Sequence, residues 1–427
     1  MIAAEVFLWG TRIGVVLQED AADVPRFNYD SKFIRSGIEV SPLMMPLSGR
    51  IYSFPELNVR SFYGLPGLLA DSLPDKFGNK LIERYLADQG RSVQDFSAVE
   101  RLCYTGTRGM GALEYVPALG YEDQKKRKVD LDALVQLASD ILTERDLIHV
   151  KADDHAMEQI LQIGTSAGGA RAKAVIAWNR QTGDIRSGQV EAGDGYEYWL
   201  IKFDGVKNNK DKGDKADAPS YTRIEYAYYL MAKEAGIKMS HCELYEDGGR
   251  YHFLTKRFDK DLQNRKLHMH SLGGMAHFDF NEPGLHSYEQ ACDVIYRLGM
   301  GQPEVEELFR RMVFNVLGSN LDDHVKNISF LMDRSGEWHL APAYDVTYAF
   351  DPGNFWLARH QMSVNGKTEH ITESDLKETG SRMNISKRKT EKIINQVQIT
   401  VSKWETFAEK ARVPEEVMAE IRRNLMM

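Results

Sequence analysis

A chain of 427 residues, with 43% hydrophobic, 10% aromatic and 27% charged residues, has the composition of a folded protein of about two to three domains. That balance excludes disorder of the whole chain, and no apolar run reaches the ~18 residues that a membrane span needs. A net charge of −8 argues against nucleic-acid binding through bulk electrostatics. Three separated cysteines, Cys103, Cys242 and Cys292, show no pairing pattern, which fits a reducing cytoplasm.

Met1 to Gly10 lacks a basic n-region and reads as a strand rather than a signal peptide. Phe7 to Leu17 reads as two strands around a tight turn at Gly10-Thr11, and Phe27-Asn28-Tyr29-Asp30 as a strand end. Leu65 to Leu86 is helical, broken by Asp71-Ser72-Leu73-Pro74-Asp75, and a second helical stretch runs from Ser92 to the Gly106–Gly111 turn. The charged run Tyr121 to Lys128 reads as a linker, followed by a helix over about 130–145. From Ile163 the pattern becomes strand, glycine-rich turn, strand, the second strand being Ala174–Trp178, with another at Tyr196–Phe203. The polar run Asp204 to Asp217 has no apolar period and reads as a mobile loop. Tyr221 to Ala235 is a helix closed by Gly236, and two strands follow, ending at Phe258. Helical periods return over about 285–318 and 384–425, with short strands at 328–332 and 338–340 between them.

The chemistry concentrates in Asn320-Leu321-Asp322-Asp323-His324-Val325-Lys326-Asn327, followed by Pro342-Ala343-Tyr344-Asp345. Asp322 and Asn327 have the Asp-x-x-x-x-Asn spacing of a kinase catalytic loop. There the Asp accepts the proton of the attacking hydroxyl and the Asn holds a metal ion on the nucleotide. Asp345 is placed to supply the second metal-binding oxygen, and Lys326 to neutralise the transferred group. Taken alone, the same residues also suit a capped polar turn. The glycine-rich stretch Gly164 to Lys173 brings backbone N–H groups within reach of phosphate, or is only a turn. Lys202, in the apolar strand Trp199–Phe203, either binds phosphates and pairs with Glu225 on the next helix or points to solvent. Lys256-Arg257-Phe258 falls where a hinge between lobes would offer backbone groups to an adenine. His268, His270 and His324 lack the spacing of a zinc site.

These motifs, in this order, resemble the HipA-like serine/threonine kinases, toxins of bacterial toxin–antitoxin pairs. The resemblance covers nearly the whole chain: Asn320–Phe330 with Pro342–Asp345, Ser166–Lys173, Leu254–Lys260, Phe27–Asp30 and Gly67–Asp75. It implies an α+β, two-lobed protein-kinase-like fold. An N-terminal α+β subdomain would span residues 1–120, an N-lobe with the phosphate loop 121–258, and a helical C-lobe 259–427. It implies ATP and Mg2+ as cofactors. Asp322 would be the catalytic base, with Lys326 beside it. Asn327 and Asp345 would hold the metal. Gly168, Gly169, Ala170, Arg171, Ala172 and Lys173 would cover the nucleotide. Lys202, Lys256, Arg257, Phe258, His324, Lys326, Asn327, Tyr344 and Asp345 would line it, with Glu225 paired to Lys202. Ser166 would be a loop serine autophosphorylated to switch the protein off. Ala172 departs from the Pro or Glu common in the family. The resemblance further implies growth arrest through a protein substrate such as an aminoacyl-tRNA synthetase, and a basic helix-turn-helix antitoxin partner, with no direct nucleic-acid or membrane contact.

Two other readings stand beside an active kinase. One is a kinase-fold binding module with little turnover that grips an antitoxin or another protein. The other is a metal-dependent phosphohydrolase, which the Lys202 and glycine-loop combination disfavours.

Overall fold

The computed structural model describes residues 1–119, 129–143, 171–189, 191–206 and 220–426. Its first sheet is antiparallel in the order β4-β3-β2-β1-β5. The strands are β1 (Ile2–Leu8), β2 (Thr11–Gln18), β3 (Arg26–Tyr29), β4 (Ile51–Tyr52) and β5 (Leu113–Val116). Alternation along β1 turns Ala4, Val6 and Leu8 into the core, the period of two that a half-buried strand shows. β1 and β2 join through Trp9 and Gly10, whose φ values of 51° and 79° are both left-handed. A two-residue hairpin turn of this hand needs positive φ twice, so the turn lies one residue before the Gly10-Thr11 read from sequence.

The second sheet, also antiparallel, runs β7-β6-β8-β10-β9. Its members are β6 (Lys173–Asn179), β7 (Asp184–Ser187), β8 (Glu197–Lys202), β9 (Cys242–Asp247) and β10 (Arg250–Lys256). β8 is central, with Trp199 and Ile201 fully buried against Ile176 and Leu254. The Leu131–Thr143 helix adds Leu134 and Ala138 to this core, and the Lys76–Asp88 helix adds Phe77 and Leu81. Part of the N-terminal region thus walls the second sheet.

The remainder is mostly helical around two small sheets. These contain β11 (His268–Ser271), β12 (His286–Ser287), β13 (Ser329–Met332), β14 (Trp338–Leu340) and β15 (Met362–Ser363), in the pairings β11-β13-β14 and β12-β15. The helical period over 285–318 resolves into Tyr288–Arg297 and Gln302–Leu317. Gly299, at φ 78°, breaks it, and Gly301 caps the second helix with a proline in its first turn. The period over 384–425 resolves into Lys387–Val401, Trp404–Lys410 and Glu415–Asn424. The Tyr221–Glu234 helix is bolted to this half: the Tyr228 hydroxyl donates to Gly318 O at 2.5 Å, and its ring lies 5.5 Å from that of Trp404. Among the described residues no helix is long and apolar enough to cross a membrane.

Candidate nucleotide and phosphoryl-transfer site

The Gln302–Leu317 helix stops at Gly318, and Ser319 turns the chain with φ 51° into the loop carrying Asp322. A 3-10 turn, Val325–Asn327, then leads into β13, with Val325 plugged into the core. The Asn327 amide nitrogen donates to Asp322 O at 2.8 Å. This fixes the side chain and leaves its oxygen as the atom available to a cation. Asp323 accepts from the Tyr288 hydroxyl at 2.8 Å, His360 Nδ1 at 2.9 Å and Gln361 N at 2.8 Å. Asp323 therefore anchors the loop, whereas the Asp322 side chain keeps 12% exposure, with His324 Nε2 3.8 Å from its Oδ1. Lys326 places Nζ 4.8 Å over the Phe280 ring.

The downstream segment is pinned to the loop through Tyr344. Its hydroxyl donates to Lys326 O at 2.5 Å and contacts Ser329 Oγ at 2.5 Å, and its ring stacks on Phe258 at 5.4 Å. Asp345 follows with φ 56°, a left-handed conformation that a non-glycine residue holds only when its surroundings impose it. Its carboxylate meets Lys202. The Lys202 ammonium lies 2.5 Å from Asp345 and 2.7 Å from Glu225. Burial would lower Lys202, but Asp345 and Glu225 together hold it above its ordinary value. Burial would raise Asp345, but Lys202 and then Lys173 outweigh that and hold it well below the usual carboxylate range. Glu225 is shifted up, because burial there exceeds the pull of Lys202. The strand lysine, the helix glutamate and the downstream aspartate therefore form one hydrogen-bonded cluster. The Lys202–Glu225 pairing expected from sequence is present.

Gly168, Gly169, Ala170 and Ser166 lie outside the described residues, as does the polar run after Val206. The end of the glycine-rich stretch is described. The Arg171 guanidinium lies 4.9 Å over the Tyr221 ring, and Ala172 is fully buried, with its carbonyl accepting from Phe203 N. Lys173 belongs to β6 rather than to a loop, and its ammonium pairs with Asp75 at 2.9 Å. At the hinge the side chains point to protein partners. Lys256 Nζ reaches Glu197 at 2.6 Å, and Arg257 Nε donates to Asp259 at 2.9 Å. An adenine contact there would fall to backbone groups and the Phe258 ring.

His268 and His270 are both buried. His268 Nε2 donates to Val40 O at 3.0 Å. His270 lies between Asp71, at 2.6 Å, and Ser41, at 3.3 Å. Ser41 and His270 are each 0% exposed, so this Ser–His–Asp chain is closed to any substrate and serves as internal bracing. Sequence reading gave no role to Asp71, Asp75, Asp259 or Asp323. Isolated acidic residues carry no spacing signal, and their burial appears only once distant segments meet.

Asn327 and Asp345 line one small cavity together with Asn320 and His324. No group of three or more His, Cys, Asp or Glu side chains suited to a metal occurs among the described residues. A magnesium–nucleotide complex does not need one, since phosphates and water supply most of its ligands. An amide and a carboxylate lining one cavity, the carboxylate held ionised, fit it.

A five-stranded antiparallel sheet with a buried Lys–Glu pair, set over a helical half that carries Asp322, Asn327 and Asp345, defines a two-lobed, protein-kinase-like fold. A family model described as the HipA N-terminal domain matches residues 4–116, and one described as the HipA-like C-terminal domain matches residues 165–404. The chain belongs to the HipA-like family. Its fold is shared with HipA of the Shewanella oneidensis MR-1 toxin–antitoxin system, solved with HipB and operator DNA. The TM-score is 0.70 at 16% identity, over 98% of this chain and 93% of that one. A Haemophilus influenzae protein named "Putative kinase" is 27% identical over 159 residues, and the match spans 34% of this chain and 46% of that relative.

Proposed function

We propose that this chain transfers the γ-phosphoryl group of ATP to a serine or threonine hydroxyl of a protein. The observation that carries the reading is the Lys202 ammonium held 2.7 Å from Glu225 and 2.5 Å from Asp345, arranged as an active kinase requires. Asp322 takes the proton of the attacking hydroxyl. Lys326, beside it, offsets charge on the transferred group. Lys202 and Lys173 face the nucleotide phosphates, and the backbone of Lys256 to Phe258 frames the adenine. Asn327 and Asp345 would hold Mg2+, which when bound neutralises phosphate charge. A binding module with little turnover has no need of this cluster, and its assembly supports turnover.

Family membership supports a toxin role: growth arrest through a translation component such as an aminoacyl-tRNA synthetase, restrained by a helix-turn-helix antitoxin. The HipB of the Shewanella complex supports the antitoxin part. Ser166 would be the autophosphorylation site, and the charge of about −1.5 to −2 added there would repel nucleotide phosphates. Mass spectrometry of purified protein should find phosphate on Ser166 or on the adjacent Thr165. The test of activity is label transfer from γ-labelled ATP to protein, lost in Lys202→Met. Equal transfer by both would contradict the reading.

A further inference from the structure

We propose that the turn Asp71–Asp75 in the N-terminal region is a bracket that sets the nucleotide cleft, with Asp75 a positioning residue for the Lys173 ammonium. The proposal rests on the kinase reading above.

Lys173 and Lys202 are directly opposite in the β6–β8 ladder. Residues so paired present their side chains to the same face, and like charges there repel. Both are buried, at 2% and 6% exposure. The arrangement holds because each ammonium has its own carboxylates. Lys202 has Glu225 and Asp345. Lys173 has Asp75, at 2.9 Å, with side-chain exposures of 3% and 8%. Asp75 is fixed independently of Lys173, because its other oxygen accepts from Gly78 N at 2.7 Å and caps the Lys76–Asp88 helix. That helix in turn buries Phe77 and Leu81 in the core of the second sheet.

Four residues earlier the same turn grips the other half of the molecule. Asp71 accepts from His270 Nδ1 at 2.6 Å, Ser271 N at 2.7 Å and Ser271 Oγ at 2.6 Å. Ser271 caps the Leu272–Ala276 helix that follows β11, the neighbour of β13. A third tie falls on the hinge, where Gly111 N donates to Asp259 at 2.8 Å and Asp259 holds Arg257. One N-terminal region thus touches the sheet half, the hinge and the helical half, and the distance between the lobes is set from outside the cleft.

Asp75→Asn removes the charge while keeping an accepted helix cap, and Asp75→Ser serves if the asparagine variant aggregates. ATP KM should rise by up to about 10²-fold, the worth of one hydrogen bond to a charged group, with kcat at saturation retained, as when uniform binding is lost. Adding Asp75→Asn to Lys173→Met should raise KM no further, because the first acts through the second. Wild-type transfer with an unchanged ATP KM in Asp75→Asn, or an additive double variant, overturns the bracket and leaves the kinase reading standing. If the wild-type chain transfers no phosphate, the kinase reading fails instead. The bracket is then read from hydrogen exchange of Lys173–Asn179 without nucleotide. Faster exchange there in Asp75→Asn supports it, and unchanged exchange overturns it.

Discussion

Asp323 accepts three hydrogen bonds, from Tyr288, His360 and Gln361, while Asp322 beside it keeps 12% of its side chain exposed next to His324. Substitution should separate the two. Asp322→Asn should lower phosphoryl transfer by roughly 10²–10⁴-fold, the usual cost of losing a general base, with circular dichroism and melting temperature unchanged. Asp323→Ala should do the reverse first: it leaves buried donors unsatisfied at about 1–3 kcal/mol each, and a lowered melting temperature would show it. A melting temperature equal to wild type in Asp323→Ala would remove its anchoring role. The spacing of Asp322, Asn327 and Asp345 was legible in the sequence, because a cation and a proton acceptor need oxygens at set intervals. The anchoring role of the adjacent Asp323 was not, since that depends on Tyr288 and His360 arriving from elsewhere in the chain.

At the scale of elements, long periodic segments were readable and short polar ones were not. The strand carrying Lys202 and the helix carrying Glu225 follow from apolar pattern and from Gly236. β11 reads His-Met-His-Ser and buries its histidines, a choice that no hydrophobic period announces. Two buried rings, His268 of β11 and His252 of β10, give an acid sensitivity. Burial lowers His268 to about 3 and His252 to about 4. An unfolded chain protonates each near pH 6.5 while the folded chain does not. The stability they confer is therefore intact above about pH 6.5 and is lost as pH falls toward 4, at about 1.4 kcal/mol per pH unit for each ring. Melting temperatures between pH 7 and 4.5 should fall less steeply in His268→Gln, and an identical slope would count against this assignment. Helix contacts give a second check. A Cβ on Gly67 would sit 2.2 Å from Gly274 O, a backbone atom that cannot step aside. Gly67→Ala should cost about 1–3 kcal/mol or more as overpacking and loosen the N-terminal region, seen as a lower melting temperature.

The whole molecule joins a sheet half and a helical half to the N-terminal sheet. The order of parts, strand-rich half before helical half, was legible because each motif sits in a stretch of matching period. The sharing of cores was not: the Lys76–Asp88 helix belongs by sequence to the first region and by packing also to the second sheet. On the proposed reading, phosphoryl transfer depends on the cleft assembled from Lys202, Glu225, Asp345 and the Asp322–Asn327 loop. Label transfer from γ-labelled ATP to protein, compared at equal concentration between wild type, Asp322→Asn and Lys202→Met, tests that dependence most directly. The wild-type chain should incorporate label, and both variants should lose at least about 10²-fold of it. Incorporation that is the same in all three would contradict that dependence.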